Sequence, residues 1–158
     1  MFVYSLKASS IKFVAILLIS VTALLTLVRL VPTYESTAVY LNDEKIVYDG
    51  IRQPEDRVTF ASQFGWQITL PAAETTDVMI PTEFDPVYEG YNTIQKEQGL
   101  NLEKYRGKTV LKETYTITNY PDYEGTVYLN LLIYKGKIVG GDVSAAEIDG
   151  FMYGFAGK

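Results

Sequence analysis

Between Thr126 and Tyr134 the chain reads TVYLNLLIY. Val127, Leu129, Leu131 and Ile133 recur at every second position. This period, carried by branched and aromatic side chains, is the mark of a β-strand. The interleaved face, with Tyr128, Leu132 and Tyr134, is half apolar as well, so the strand belongs in the middle of a sheet. Thr109–Thr118 precedes it, with Leu111, Tyr115 and Ile117 on one face, and Ile138–Val143 follows. The turn-rich stretch NYPDYEG (Asn119–Gly125) and the tight turn Lys135-Gly136 connect the three into an antiparallel meander. Gly140-Gly141 inside the returning strand predicts a bulge or a close backbone approach.

Earlier segments must pack on this meander. A helix is predicted over Pro54–Phe64, with Pro54 at its first position, Glu55 and Asp56 at the positive dipole end and Gly65 as left-handed cap. Its apolar stripe is Val58, Phe60, Ala61 and Phe64. Trp66–Leu70 alternates as a strand until Pro71, and Trp66 reads as a core plug. Glu74–Asp77 reads as a polar loop before the short apolar Val78-Met79-Ile80. A second helix starts from Asp85 as N-cap and Pro86, with a stripe of Val87, Tyr88, Tyr91 and Ile94 and a stop at Gly99. Asn101–Tyr105 suits one further helical turn closed by Gly107. The tail Phe151–Phe155 folds back on the sheet. Strands clustered late argue an α+β class: an antiparallel sheet, its C-terminal part a three-stranded meander, with two helices on one face.

Phe13–Val28 (FVAILLISVTALLTLV) carries no charge. As a helix it spans about 24 Å, short of a bilayer core of about 30 Å. Extending it over residues 11–31 closes the gap if Lys12 and Arg29 snorkel to the two interfaces. The expected organisation is a cytoplasmic N-terminus and transmembrane anchor over 1–31, a stalk over 32–37 and an α+β domain over 38–158. A cleaved signal peptide is the competing reading, but the nearest small-residue site, Ser36-Thr37-Ala38, lies well past the apolar run. Lys7 and Lys12 precede the segment, and the positive-inside rule then exports the domain. The expected location is the cell membrane, single-pass, with the C-terminal domain outside the cytoplasm.

Chemistry is narrowed by what is missing. The chain has no cysteine and no histidine, which excludes thiolate sites, Ser-His-Asp triads and HExxH zinc sites in their usual forms. All 19 acidic residues follow the apolar segment, while Lys7, Lys12 and Arg29 lie in or beside it. The exported body is therefore more acidic than the net charge of −5, a poor partner for nucleic acid. No cofactor is expected.

Four groups of residues compete as sites. Asp142, with Glu147 and Asp149 nearby, could hold a hard cation such as calcium, but the spacing fits no EF-hand. A bulged strand followed by a solvated acidic turn explains it without a metal. Tyr115, Tyr120, Tyr123, Tyr128, Tyr134 and Tyr153, among 13 tyrosines, could form a binding surface or cross-strand packing. Gln95–Gln98 reads as a solvated helix face or a docking face. A pair of carboxylates could serve a hydrolase, although capping explains Glu55, Asp56 and Asp85. Tyr120, Tyr123 and Asp142 are the expected binding residues. No catalytic residue and no metal ligand is assigned.

The runs DRVTFASQFGW (Asp56–Trp66), IPTEFDPVYEGYNTIQKEQG (Ile80–Gly99), Lys104–Lys108, Thr118–Pro121 and Gly140–Val143, with GFMYGF at Gly150–Phe155, go together. Over about Asp56 to Phe155 the chain resembles an uncharacterised family, domain-of-unknown-function family 4830, of membrane-anchored Gram-positive bacterial proteins. The resemblance implies an N-terminal membrane segment and an exported domain, and brings no activity with it. Taken together, the reading is a membrane-anchored extracytoplasmic binding domain. Its partners are the bilayer, through residues 11–31, and a cell-envelope protein or glycan. A carboxylate-dependent hydrolase acting on envelope glycans is the alternative.

Overall fold

The computed structural model describes residues 46–157. Residues 1–45, and with them the expected anchor and stalk, lie outside the described residues. Among the described residues no helix is long and apolar enough to cross a membrane. The elements are α1 (Pro54–Ser62), β1 (Glu74–Met79), α2 (Pro86–Glu97), a 3-10 turn (Leu102–Tyr105), β2 (Thr109–Ile117), β3 (Val127–Tyr134), β4 (Lys137–Ala145) and β5 (Met152–Tyr153). The strands form one antiparallel sheet in the order β1-β2-β3-β4-β5.

The meander stands as the alternation requires, and its hairpin turns on left-handed Lys135 and Gly136 (φ 49° and 75°). Two more strands join the three expected ones. Glu74–Met79 is an edge strand, not a loop. It reads as polar because Glu74, Thr75 and Asp77 are exposed along it. Trp66–Leu70 is not a strand of the sheet. It runs beside the end of β2 with one isolated bridge, Ile68 to Ile117. Pro71, which has no N–H to offer a ladder, follows it.

The helices lie on opposite faces of the sheet, which corrects the one-face expectation. Val127, Leu129, Leu131 and Ile133 point to the first face and bury with Phe60, Ala61, Val143 and Phe155. This is the side that α1 covers. Leu132, Val110 and Val139 point to the second face and pack with Ile80, Leu102, Tyr88 and Tyr91, the side that α2 covers. A strand apolar on both faces needs a cover on both.

Both helices start where their caps put them. The Asp85 carboxylate accepts the Tyr88 N–H at 2.7 Å, and Asp56 accepts two N–H groups just ahead of α1. The expected stripes hold at Phe60, Ala61 and Phe64 of the first helix and its cap and at Tyr88 and Tyr91 of the second, which pack inward, and fail at one valine in each. Val58 is 38 % exposed and Val87 82 %. Arg57 on α1, and Asn92 and Gln95 on α2, join the buried positions, because each has a polar partner. Arg57 grips Glu113 of β2 through Nε at 2.8 Å and Nη2 at 3.2 Å. Tyr115 donates its hydroxyl to the same carboxylate at 2.9 Å. Burial first, then that bond and the Glu113 charge, push the Tyr115 hydroxyl up to about 12. Asn92 accepts the Leu102 N–H at 2.9 Å.

Gln95 and Gln98 are not a solvated face. β5 pairs only with Val143 and Ser144 of β4, which leaves the backbone of Gly141 without a strand partner on that side. Gln95 Oε1 accepts the Gly141 N–H at 2.8 Å, and Gln98 Nε2 donates to the Gly141 carbonyl at 3.0 Å. Gln98 Oε1 also accepts the Phe155 N–H at 2.7 Å. Two side-chain amides thus complete the ladder and tie α2 to the sheet edge. The expected bulge is present, with a register shift of β4 against Leu132/Ile133. So is the close approach, since Phe155 packs on Gly141.

Candidate functional site

Sheet register sets the site. Glu74, Thr114, Asn130 and Asp142 form one row across β1, β2, β3 and β4. They share the second face with Lys112 and Leu132 on one flank and Tyr128 and Ser144 on the other. α2 reaches only part of this face, and the uncovered part is a groove of about 630 Å³. Tyr88 and Tyr91 of α2 form one wall, Val78 and Met79 lie toward β1, and Met152 of β5 lies at the far side.

The floor is a closed polar network. Thr114 Oγ1 donates to Asn130 Oδ1 at 2.8 Å. Asn130 Nδ2 donates to Asp142 Oδ2 at 2.8 Å and to Ser144 Oγ at 3.0 Å. Tyr91 donates its hydroxyl to Asp142 Oδ1 at 2.9 Å, linking α2 to β4. Asp142 is 3 % exposed. Its burial raises its carboxyl above the ordinary range, against the pull of the Asn130, Tyr91 and Ser144 hydrogen bonds and the more distant Lys112 charge. Tyr91 is pushed well up, by its own burial first and then by the Asp142 charge.

A carboxyl whose folded pKa exceeds its unfolded value binds its proton more tightly when folded. The associated stability is present below the ordinary carboxylate range and is lost as pH rises through the folded pKa. Urea denaturation across pH 3 to 8 (a span of about five units) is therefore expected to show part of its decline with rising pH removed in Asp142→Asn. An unchanged profile would mean that the carboxylate is better solvated than its neighbours Tyr91, Asn130 and Lys112 imply.

The other expected site residues lie elsewhere. Tyr120 is sandwiched on the first face. Trp66, Tyr120, Phe151 and Tyr153 stack in series, with centroids 5.4, 5.1 and 5.2 Å apart and planes within 20° of parallel. Trp66 is anchored by its Nε1–H on the Phe155 carbonyl at 2.6 Å, a half-buried packing residue. Tyr123 meets Tyr120 and Phe151 edge-on, and its hydroxyl donates to Glu147 Oε2 at 2.6 Å. Both ring faces of Tyr120 are thus in use. Tyr120→Ala is expected to destabilise the domain by about 2–3 kcal/mol, measurable by chemical denaturation. A loss below about 0.5 kcal/mol would mean that the stack does not form in solution. Binding lost in that variant would report on the fold rather than on a contact.

The calcium constellation does not assemble. Asp142 faces the groove, while Glu147 is exposed and bound to Tyr123, and Asp149 is exposed. Among the described residues no three acidic side chains converge on one point. Asp142 was legible as a candidate. Asn130 was not, although a lone amide inside an otherwise apolar strand is a usable signal, because such a group needs partners on its own face.

The fold and groove define an α+β domain with an amphipathic cleft on one sheet face and a single buried carboxylate in its floor. The chain belongs to the family described as Domain of unknown function (DUF4830), whose model matches residues 60–143, more than half of its length. No curated protein and no solved structure matches the chain.

Proposed function

We propose that this is a binding domain, not an enzyme, held outside the cytoplasm of a Gram-positive cell by residues 11–31, and that it takes its ligand in the groove of the second face. One observation carries the reading. α2 covers part of a sheet face and leaves the rest as a groove of ligand size, within the few hundred to about 1,000 Å³ of small-molecule and cofactor sites. The location rests on the apolar run Phe13–Val28 and the preceding Lys7 and Lys12. An envelope protein segment is the first candidate ligand and a wall glycan the second. The contact surface is the groove around Asp142 and Tyr128. The loop Asn119–Gly125 is less suited, since Tyr120 has no free ring face.

A glycan hydrolase draws little support from this geometry. Glu74 and Asp142, the two groove carboxylates, stand three strands apart, about 14 Å between backbones. A glycosidase pair stands about 5–9.5 Å apart.

A photo-crosslinking residue at Tyr128, in the groove, and another at Thr59, on the outer side of α1, separate the possibilities in intact cells. A specific adduct from position 128 alone is expected. The same adducts from both positions, or none from 128, would defeat the reading. Protease added to intact cells should degrade the domain, and full protection would overturn the topology.

A further inference from the structure

We propose that the groove recognises an organic ammonium group, either a protonated amine or a methylated ammonium carried by the ligand. The proposal rests on the groove being the binding site and concerns what enters it. Its basis is charge and aromatic lining together.

The charged groups around the groove are Glu74, Asp142 and Lys112, two carboxylates against one ammonium. Asp142 is the deepest of them, and its contacts are neutral donors, the Tyr91 hydroxyl and the Asn130 amide. The ion pairs among the described residues are Arg57–Glu113, Lys96–Glu103 and Lys137–Asp49, so no cation of the described residues is in contact with Asp142. Lys112 acts on it only at a distance. A buried carboxylate without a contact cation has already lost most of its hydration. A cation entering the groove meets a negative charge that is desolvated and oriented before binding. An anion meets two carboxylates.

The rings of Tyr88, Tyr91 and Tyr128 line the same space. The negative face of an aromatic ring attracts a cation, most of all one as weakly hydrated as a methylated ammonium. An ammonium head fills only a small part of about 630 Å³. The rest of the ligand then lies over Val78, Met79, Leu132 and Met152, an apolar surface that suits an alkyl or peptide stem.

The test uses the full-length chain in an uncharged sugar detergent, with side-chain resonances of Asn130 and Tyr128 followed by NMR. The probes are choline, its uncharged isostere 3,3-dimethylbutan-1-ol, and acetate. Choline is expected to shift these resonances saturably in the millimolar range, with the isostere about tenfold weaker or more. Asp142→Asn and Tyr128→Leu are each expected to weaken choline binding about tenfold. Tyr128 makes no hydrogen bond in the floor network, so its variant tests the site without touching the network. Equal shifts from choline and the isostere, or shifts from acetate alone, would overturn the ammonium assignment and leave the groove as a binding site. No shift from any probe up to about 100 mM, where a fragment this small should be seen, would overturn both. Choline binding unaltered by either variant would place the cation elsewhere and overturn the proposal.

Discussion

Gly141→Ala is expected to destabilise the domain by about 3–5 kcal/mol, a large part of the stability of an ordinary domain. Two effects add. The residue has φ 153°, a conformation strained for any side chain. A Cβ there would also run into the Asn130 carbonyl and into Phe155 Cζ, 2.6 Å away. The backbone of β3 cannot give way, because Asn130 is held by Thr114, Asp142 and Ser144. Gly140→Ala is the internal comparison. Its Cβ would meet the ends of Leu102 and Leu132, at 2.9 and 3.1 Å, and Gln95 Oε1 at 3.3 Å. The two nearer atoms are methyl ends of side chains that can shift, so the cost should be about 1–2 kcal/mol. Urea denaturation of both variants checks the order. Equal costs would mean that neither the strained backbone of Gly141 nor the close approach of Asn130 and Phe155 to it holds in solution.

Arg57→Met is expected to cost about 3–5 kcal/mol, since it leaves Glu113 buried and unpaired. Burial by itself works to lower the Arg57 pKa, but the Glu113 bond and charge prevail and hold it above its ordinary value, as a tightly paired guanidinium requires. The pair is bidentate, and Arg57 also donates from Nη1 to the Gln53 carbonyl at 2.8 Å. α1 is therefore clamped to β2 by a polar contact inside an apolar cluster. The double variant Arg57→Met/Glu113→Leu should recover most of the loss and fall short of the parent by about 1–2 kcal/mol, because the Tyr115 hydroxyl then lacks its acceptor. The cycle isolates the coupling. A single variant costing less than about 1 kcal/mol would show that water reaches the pair.

The meander was readable because a period of two over Val127–Tyr134 admits few other interpretations. Helix starts were readable because Pro54 and Pro86 lack the N–H that a first helical turn leaves unpaired, and Asp85 accepts the Tyr88 N–H. What escaped was whatever depends on a partner distant in sequence. The stripe of α2 was read incompletely, because Asn92 and Gln95 look solvent-loving until Leu102 and Gly141 come to meet them. β1 was misread because an edge strand with one face in water need not be apolar. The one-face arrangement of helices failed on a sign already present: Tyr128, Leu132 and Tyr134 gave β3 a second apolar face that had to be covered. Within the site, Asp142 stood out as an acid next to Gly140-Gly141. Its links to Tyr91, Asn130 and Ser144 come from register, which no local spacing states. Tyr120 and Tyr123 were identified as aromatic surface, whereas Phe151 and Trp66 close over them from opposite ends of the domain sequence.

Whether the second face is the working face is tested most directly by hydroxyl-radical footprinting of the protein in intact cells against the purified chain. Met79 and Met152, exposed on either side of the groove, and Tyr128 between them are reactive reporters. Tyr123 reports on the opposite face. We expect oxidation of Met152 and Tyr128 to fall severalfold in the cells while Tyr123 is unchanged. Oxidation of Met79, Met152 and Tyr128 at the same rate in both samples, or protection centred on Tyr123, would contradict a ligand in the groove.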